Sequence, residues 1–236
     1  MRVRIVGRGR AGGSLATALD GRADVEQWGR GDLTGAARGV DVLVLAVPDR
    51  AIASCAAEVE PGDAVVAHLS GVTGLDALAP HRRVGSLHPL VSMPDATEGA
   101  RRLRGVWFAV AGDPLIDELA RVLDARTFRI ADDQRALYHA TACIASNHLV
   151  GLMGQVERLA ASLGVPAQPF LELASGAMAN TLASGAAAAL TGPVSRQDWD
   201  TVRRHVAALP AGERDLYVAL AAEAAALAGV TLPPLV

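Results

Sequence analysis

The stretch that decides the fold is residues 4–17, RIVGRGRAGGSLAT. A short apolar run leads into glycines at positions 7, 9 and 12, and a helical pattern of small and apolar residues follows them. This order predicts a β-strand, a tight turn and a helix whose first amides lack partners inside the helix. Such a helix N-terminus attracts anions, because its amides and the helix dipole both favour negative charge.

The three glycines have the spacing G-x-G-x-x-G. In this pattern Gly7 makes the turn, Gly9 lets a diphosphate approach the backbone, and Gly12 lets the helix pack close to the strand. We therefore predict a dinucleotide site formed by Gly7, Arg8, Gly9, Arg10, Ala11, Gly12, Arg30, Ala46, Val47 and Pro48. The alternative is a turn that binds nothing, in a chain with 24 glycines.

Two features bear on the type of dinucleotide. Glu26, on the predicted second strand, is close to where an acid would bind the ribose 2′-hydroxyl of NAD. Arg30 follows that strand, and Arg8 and Arg10 add positive charge to the turn. Because arginine forks match phosphate, this pattern favours the 2′-phosphate of NADP, with NAD as the alternative.

The first half of the chain alternates short apolar runs with segments of helical length. The predicted strands are 3–6, 24–28, 42–47, 64–69, 84–87, 107–111 and 127–130. VLVLAV at 42–47 is apolar throughout, as expected for a parallel strand that is covered on both faces. This pattern predicts an α/β fold with a Rossmann-type, mostly parallel sheet.

Beyond residue 130 the strand patterns stop. Residues 132–164 predict one long helix that ends at Gly164, and more helices are predicted near 167–190, 195–209 and 213–228. We therefore expect two domains, a dinucleotide-binding domain of residues 1–130 and an all-helical domain of residues 131–236.

The composition excludes several classes of function. A net charge of −3 gives no electrostatic case for nucleic acid or an anionic membrane, and no run of about 20 apolar residues predicts a membrane span. All 22 basic residues are arginine, so no lysine can act as an acid, a base or a Schiff-base former. The six histidines lack metal-ligand spacing, and Cys55 and Cys143 lie far apart. The low cysteine content favours a reducing, cytoplasmic location.

The candidate catalytic residues are polar side chains on the long helix and at strand ends. His139, Cys143, Ser146 and Asn147 share one face of the helix at 100° per residue. Such a polar face is satisfied either by a ligand or by hydrogen bonds inside the protein.

Two further candidates follow predicted strands, where ligands of open α/β sheets bind. They are His88 and Ser70. We predict that His139 or His88 supplies a proton and that Asn147 and Ser70 orient the acceptor. The alternative for each histidine is a structural, hydrogen-bonded side chain.

Several segments together resemble a known family. They are GRGRAGGSLA, VLVLAVPDRAI, HLSGVTGLDAL, GSLHPLVSM, YHATACIASNHLVGL and LTGPVSRQDWDTVRRH. They are similar to Rossmann-like proteins with a helical C-terminal domain of unknown function, in the superfamily of 6-phosphogluconate dehydrogenase and ketopantoate reductase. The resemblance implies nicotinamide-dependent redox chemistry, an active site between the domains, and a homodimer formed through a helical substrate and dimerisation domain.

One departure from the superfamily concerns the proton donor. The β-hydroxyacid dehydrogenases have a lysine four residues before an asparagine on this helix, whereas here Cys143 precedes Asn147. Their scheme of proton transfer cannot be carried over. We predict an NADP-dependent reductase of a small keto or imino acid. The alternatives are a non-catalytic nucleotide-binding or regulatory protein and, more weakly, a methyltransferase. Arg196 is suited to bind the substrate's carboxylate, and the alternative is that its segment is only a turn between helices, with Ser195 as the N-cap and Asp198 completing a capping box.

Overall fold

The computed structural model describes residues 1–29 and 31–235. The chain divides into two compact units, Met1–Asn147 and His148–Val236. This division falls later than the boundary predicted at residue 130, because Arg135 and Tyr138 bond to side chains of a strand in the first unit. No helix in the described part of the chain is long and apolar enough to cross a membrane.

The first unit is built on one seven-stranded sheet. Its strands are β1 (Arg2–Val6), β2 (Asp24–Trp28), β3 (Val42–Leu45), β4 (Val65–His68), β5 (Val84–Pro89), β6 (Trp107–Gly112) and β7 (Arg126–Arg129). They lie in the order β2-β1-β3-β4-β5-β6-β7. All neighbours are parallel except β5 and β6, which are antiparallel. The predicted α/β class with a mostly parallel sheet is confirmed.

The sheet is covered on both faces, as the apolar strands predict. In β3, Val42 and Val44 pack into one apolar core, whereas Leu43 and Leu45 pack into the other. The helices that cover the sheet are α1 (Arg10–Leu19), α2 (Ile52–Glu58), α3 (Ala96–Arg102) and α4 (Leu115–Val122). Because alternate side chains of a strand point to opposite faces, a strand covered on both sides must be apolar at every position.

The predicted long helix over 132–164 is interrupted. It consists of a 3₁₀ turn (Asp132–Gln134), α5 (Arg135–Cys143), a π-helical turn (Ile144–His148) and α6 (Leu149–Ser162). The hydroxyl of Ser146 donates to the carbonyl oxygen of Ala142 at 2.7 Å and so competes for a backbone acceptor where the helix widens. The two units meet in sequence inside this π-helical turn.

The second unit is helical. After α6 come α7 (Gln168–Ser184), α8 (Ala186–Ala189), α9 (Trp199–Ala208) and α10 (Ala211–Ala228). The helix predicted over 167–190 is broken at Gly185, whose φ of +82° lies outside the helical region. Val202 and Val206 of α9 pack with Ala221 and Ala225 of α10 to form the core of this unit.

Candidate functional site

The turn between β1 and α1 closes tightly against the residue that follows β3. Gly7 has a φ of +119°, and its amide donates to the carbonyl of Trp28 at 2.9 Å. A Cβ on Gly7 would lie 2.2 Å from the carbonyl oxygen of Ala46, and one on Gly12 would lie 2.3 Å from that of Gly7. Positions 7 and 12 therefore require glycine for reasons internal to the protein.

Gly9 differs from both, because a Cβ at this position would meet no atom within 4 Å. It precedes α1 in an extended conformation and offers no side-chain cap, and the first turn of α1 holds no acidic residue. The amides of Arg10, Ala11 and Gly12 have no partners inside the helix. The backbone at Gly9 is thus open to a ligand group beside the positive end of α1.

A cavity of about 510 Å³ lies beside this turn. It is lined by Gly7, Arg8, Gly9, Gly29, Ala46, Val47 and Pro48. The structure therefore brings six of the predicted cofactor-binding residues together in one wall and adds Gly29. Arg10, Ala11 and Gly12 open α1 next to it, whereas Arg30 lies outside the described residues. The cavity and the open amides fit the diphosphate of a dinucleotide.

The end of β2 carries no acid that faces the cavity. Glu26 accepts hydrogen bonds from Trp28 at 2.6 Å and from Arg4 at 2.9 Å, and these bonds lower the pKa of its carboxyl. The guanidinium of Arg4 also stacks 4.2 Å from the centre of the Trp28 ring. Glu26 is thereby held by its own strand neighbours. At the end of the strand, the side chain of Arg8 lies about 3.9 Å from where a Cβ on Gly29 would be.

The loop after β4 is organised by Ser70. Its hydroxyl donates to Asp49 at 2.8 Å and accepts from the amides of Val72 and Thr73 at 3.3 and 3.1 Å. Asp49 belongs to the loop after β3, so Ser70 joins the loops at the ends of two adjacent strands. The single hydrogen of the hydroxyl is engaged within the protein, and a contact between Ser70 and a substrate stays a prediction.

Two of the predicted catalytic histidines meet at the end of β5. The rings of His88 and His139 contact edge to face with centroids 5.9 Å apart. Both rings lie against Gly71, where a Cβ would be 2.8 Å from His139 Cδ2 and 2.9 Å from His88 Cε1. His88 Nδ1 is 2.5 Å from the hydroxyl of Tyr138. A strand, a loop and a helix thus combine to hold the two imidazoles together.

His88 is held in its neutral form. Burial is the main cause that lowers its pKa to about 4, and the nearby charges of His139 and Arg135 act in the same direction. His68, at the end of β4, is fully buried and has its pKa lowered to about 4 by burial and by Arg135. Its Nδ1 accepts from the amide of Ser70 at 3.2 Å, and its Nε2 has no partner among the described residues.

Arg135, whose positive charge helps to lower the pKa of both His68 and His88, has a side chain that is 2% exposed. It donates to Asp132 at 2.5 Å and to the hydroxyl of Ser86 on β5 at 2.8 Å. These bonds anchor α5 to the sheet. Within residues 1–29 and 31–235, no group of three or more His, Cys, Asp or Glu side chains is arranged to hold a metal ion.

Asn147 hydrogen-bonds to its neighbour Ser146. It is exposed on the π-helical turn, and its Oδ1 accepts from the hydroxyl of Ser146 at 2.9 Å. Elsewhere on the predicted polar face, Cys143 Sγ lies 3.9 Å from His139 Nδ1. The role of Asn147 stays a prediction.

Sequence reasoning missed Tyr138, Arg135, Gly71 and Gly29. Arg135 had a usable signal, because it precedes His139 by four residues and so lies on the same helix face. Tyr138 had none, because a residue adjacent to His139 points about 100° away on a helical wheel. Its contact with His88 depends on how α5 lies against β5, which only the three-dimensional structure gives.

A comparison with protein families matches residues 108–224 to the family described as Domain of unknown function (DUF2520). The matched stretch, which is similar to this family, begins inside β6 and ends inside α10. A comparison with curated proteins gives no match.

Several solved structures share the fold along nearly the whole chain. A protein from Thermotoga maritima has a TM-score of 0.77 at 24% identity, with 96% of this chain and 98% of that one covered. A candidate NADP oxidoreductase from Bacteroides fragilis has a TM-score of 0.76 at 16% identity, with coverage of 95% and 98%. A pyrroline carboxylate reductase from Plasmodium falciparum, solved with NADP bound, has a TM-score of 0.63 at 10% identity, with coverage of 97% and 98%. The chain is similar to these proteins in fold, with a Rossmann-type sheet followed by helices.

Proposed function

We propose that this chain, whose residues 108–224 match the DUF2520 family, is an NADP-dependent reductase of a small keto or imino acid. The observation that carries the proposal is the open side of Gly9 at the uncapped start of α1, beside the cavity of about 510 Å³. A diphosphate suits this site because it pairs with helix amides and needs backbone without a side chain. The NADP-bound reductase and the candidate NADP oxidoreductase among the fold relatives support the choice of cofactor.

The residues of the cofactor turn and those of the histidine pair would have different roles. The amides of Arg10, Ala11 and Gly12 would hold the diphosphate, and Ala46–Pro48 would form a wall of the cofactor cavity. When bound, NADPH supplies a hydride to the substrate's C=O or C=N carbon. His88 and His139, with ring centroids 5.9 Å apart, would bind the substrate's oxygen or nitrogen and supply its proton.

The preference for NADP over NAD rests on the end of β2. Glu26 is engaged by Trp28 and Arg4, so it is poorly placed to accept from a ribose hydroxyl. Arg8 lines the cavity next to Gly29, and in the sequence Arg30 follows directly. Guanidinium groups favour the dianionic 2′-phosphate that distinguishes NADP.

The cofactor is tested by titrating the whole protein with NADPH and with NADH. We expect tighter binding of NADPH, and we expect Arg8→Ala and Arg30→Ala each to reduce that preference by about 10-fold, as for the loss of a charged hydrogen bond. Arg22→Ala is the matched control, because Arg22 is exposed and pairs with Asp124 away from the cavity. Equal affinities in the unaltered protein would refute the NADP preference, and no binding of either at millimolar concentration would refute the reductase.

Catalysis is tested by following nicotinamide absorbance over a panel of keto acids and imines. With a reactive substrate, His139→Ala and His88→Ala are expected to reduce kcat by about 100-fold or more, the usual contribution of a positioned acid or hydrogen-bond donor. If both variants retained full turnover, the assignment of these residues would be wrong. Binding of NADPH without turnover on the whole panel would favour the non-catalytic nucleotide-binding protein.

We also propose that the chain forms a homodimer through its helical unit. Within Gln168–Ser184, all of which the structure describes, α7 has no buried residue. Leu173 is 71% exposed and Leu182 is 84% exposed, and nine residues of helix place them on opposite faces. Large apolar side chains that are exposed on both faces of a helix favour coverage by another surface, and a second copy of this helical unit can supply it. A cytoplasmic location stays a prediction that rests on cysteine content.

A further inference from the structure

Tyr138 is placed to act on His88 rather than on a ligand. Its ring lies between two others, edge to face with His88 at a centroid distance of 5.5 Å and with Phe128 at 5.9 Å. Phe128 in turn packs on Trp107 at 6.2 Å. Because β6 and β7 supply Trp107 and Phe128, the sheet fixes the ring of Tyr138 and directs its hydroxyl to His88 Nδ1.

The hydrogen bond between these residues can be assigned a direction. Burial raises the pKa of Tyr138 to about 12, so the phenol keeps its hydrogen. Among the described residues, His88 Nδ1 is the one hydrogen-bond partner of that hydroxyl. If Nδ1 carried the hydrogen, the phenol hydrogen would be left without a partner at a half-buried site. The arrangement that satisfies the phenol has Tyr138 donating to Nδ1.

A neutral imidazole carries one hydrogen, and its position follows from this bond. The titratable and charged groups that act on His88 are Asp49, His68, Arg135, Tyr138 and His139. The imidazole and guanidinium groups among them disfavour a second proton on His88, and only Asp49 favours it. With Nδ1 accepting from Tyr138, the single hydrogen of His88 is on Nε2.

We propose that Tyr138 is a positioning residue that holds His88 as the Nε2–H tautomer, which makes His88 a hydrogen-bond donor to the substrate and His139 the group that releases the proton. This role towards a substrate rests on the proposed function, whereas the tautomer does not. In the complete step, the substrate carbon gains the hydride and its oxygen or nitrogen gains the proton from the His139 imidazolium. His139 is left neutral and takes a proton from solvent, while His88 keeps its hydrogen throughout.

The second unit provides a matched control for this pair. His205 Nδ1 is 2.8 Å from the hydroxyl of Tyr217, and the two rings are edge to face at 5.9 Å. The two pairs therefore have the same atoms and nearly the same ring geometry. The variants Tyr138→Phe and Tyr217→Phe each remove one hydroxyl and should leave the other pair unchanged.

The experiment is ¹⁵N NMR of the histidine side chains in the whole protein at neutral pH, with His88 assigned from the spectrum of His88→Asn. We expect His88 to show a protonated Nε2 and an unprotonated Nδ1, and we expect Tyr138→Phe to convert it into a tautomer mixture. Tyr217→Phe should change His205 alone. A hydrogen on Nδ1 of His88 in the unaltered protein, or an unchanged His88 in Tyr138→Phe, would overturn the proposal.

Kinetics separate positioning from a merely structural role. With a reactive substrate, Tyr138→Phe should lower kcat by about 10- to 100-fold and leave the Kd of NADPH unchanged, because only the imidazole's orientation and tautomer are lost. An unchanged kcat would contradict the role of Tyr138 in the reaction, and Tyr217→Phe should retain full kcat. If NADPH fails to bind while His88 still shows the Nε2–H form, the proposed function fails and the tautomer assignment stands.

Discussion

Gly9 and Gly12 lie three residues apart at the start of α1 and lack side chains for different reasons. At Gly12 the backbone of Gly7 occupies the space of a Cβ, whereas at Gly9 that space is open. The fold therefore explains the glycine at position 12, whereas the proposed cofactor would explain the glycine at position 9. Sequence spacing identifies both positions but cannot distinguish these two causes, because the distinction depends on what faces each Cα.

Alanine substitutions at these two positions should affect different properties, namely cofactor binding at position 9 and stability at position 12. Gly9→Ala should change the free energy of unfolding by about 1 kcal/mol or less, since Ala fits the extended cap, but should weaken NADPH binding by about 10-fold or more. Gly12→Ala should destabilise the protein by roughly 1–3 kcal/mol, as overpacking does. Urea unfolding and cofactor titration measure both. Unchanged NADPH affinity in Gly9→Ala would exclude the diphosphate from this turn.

A second prediction at the scale of single residues concerns Gly71. A Cβ at this position would lie within 3.0 Å of His88 and His139, so Gly71→Ala should displace both rings and lower kcat by about 10-fold or more. Gly151→Ala, on an exposed turn of α6 with no atom within 4 Å of its Cβ, is the control. It should keep full activity and stabilise α6 by up to about 1 kcal/mol. Full activity in Gly71→Ala would show that the imidazole positions do not matter.

At the scale of elements, strands were easier to predict than the long helix. The central strands β3 and β4 were the easiest to predict, because every residue of each is buried and short apolar runs are typical of such strands. The edge strands β2 and β7 are partly exposed. Residues 132–164 keep a helical pattern throughout, yet a π-helical turn at Ile144–His148 lies between α5 and α6. A hydrophobic pattern does not show this turn, since it results from local competition for a backbone carbonyl, which Ser146 enters.

The helix α7 allows the proposed homodimer to be tested. Leu173→Glu and Leu182→Glu, on its two opposite exposed faces, should each convert the dimer into a monomer, because a buried charge without a partner is costly. Leu163→Glu is the matched control, since Leu163 follows α6 and is 72% exposed. Light scattering after size-exclusion chromatography gives the mass of each variant. An unaltered protein that is monomeric at micromolar concentration would rule out this use of α7.

At the scale of the whole molecule, two buried histidines should make stability depend on pH. A histidine whose folded pKa is about 4, compared with 6.5 in the unfolded chain, binds fewer protons when folded. Its contribution to stability is therefore present above pH 6.5 and is lost as the pH falls towards 4. For the fully buried His68 the loss is about 3 kcal/mol at pH 4.

Urea unfolding at several pH values tests this dependence. His68→Asn should reduce the slope of stability against pH between 6.5 and 4, since the amide oxygen replaces Nδ1 as acceptor but does not titrate. His148→Gln is the control, because it replaces an exposed histidine. A slope in His68→Asn equal to that of the unaltered protein would mean that His68 is protonated in the folded state. Carboxylates such as Glu98, with a pKa lowered to about 2 by Arg101 and Arg102, act at lower pH.

The sequence was most informative about the cofactor turn and least informative about the proton-handling cluster. Gly7, Gly9 and Gly12 are contiguous in sequence and in space, so a short motif describes their site. The cluster of His88 and His139 combines a strand, a loop and a helix whose positions depend on the packing of the first unit. Arg135 illustrates the difficulty, because an arginine on a helix is usually exposed, yet here it is buried between Asp132 and Ser86.

The antiparallel pairing of β5 and β6 has a practical consequence for protein production. The DUF2520 match starts at residue 108, within β6, so a fragment cut to 108–224 would lose the edge that β5 supplies. Phe108 and Val110, fully buried in the intact chain, would then face water beside unpaired backbone amides. Such a fragment should precipitate on expression, and the sequence boundaries of the domain are therefore unsuitable as cloning boundaries.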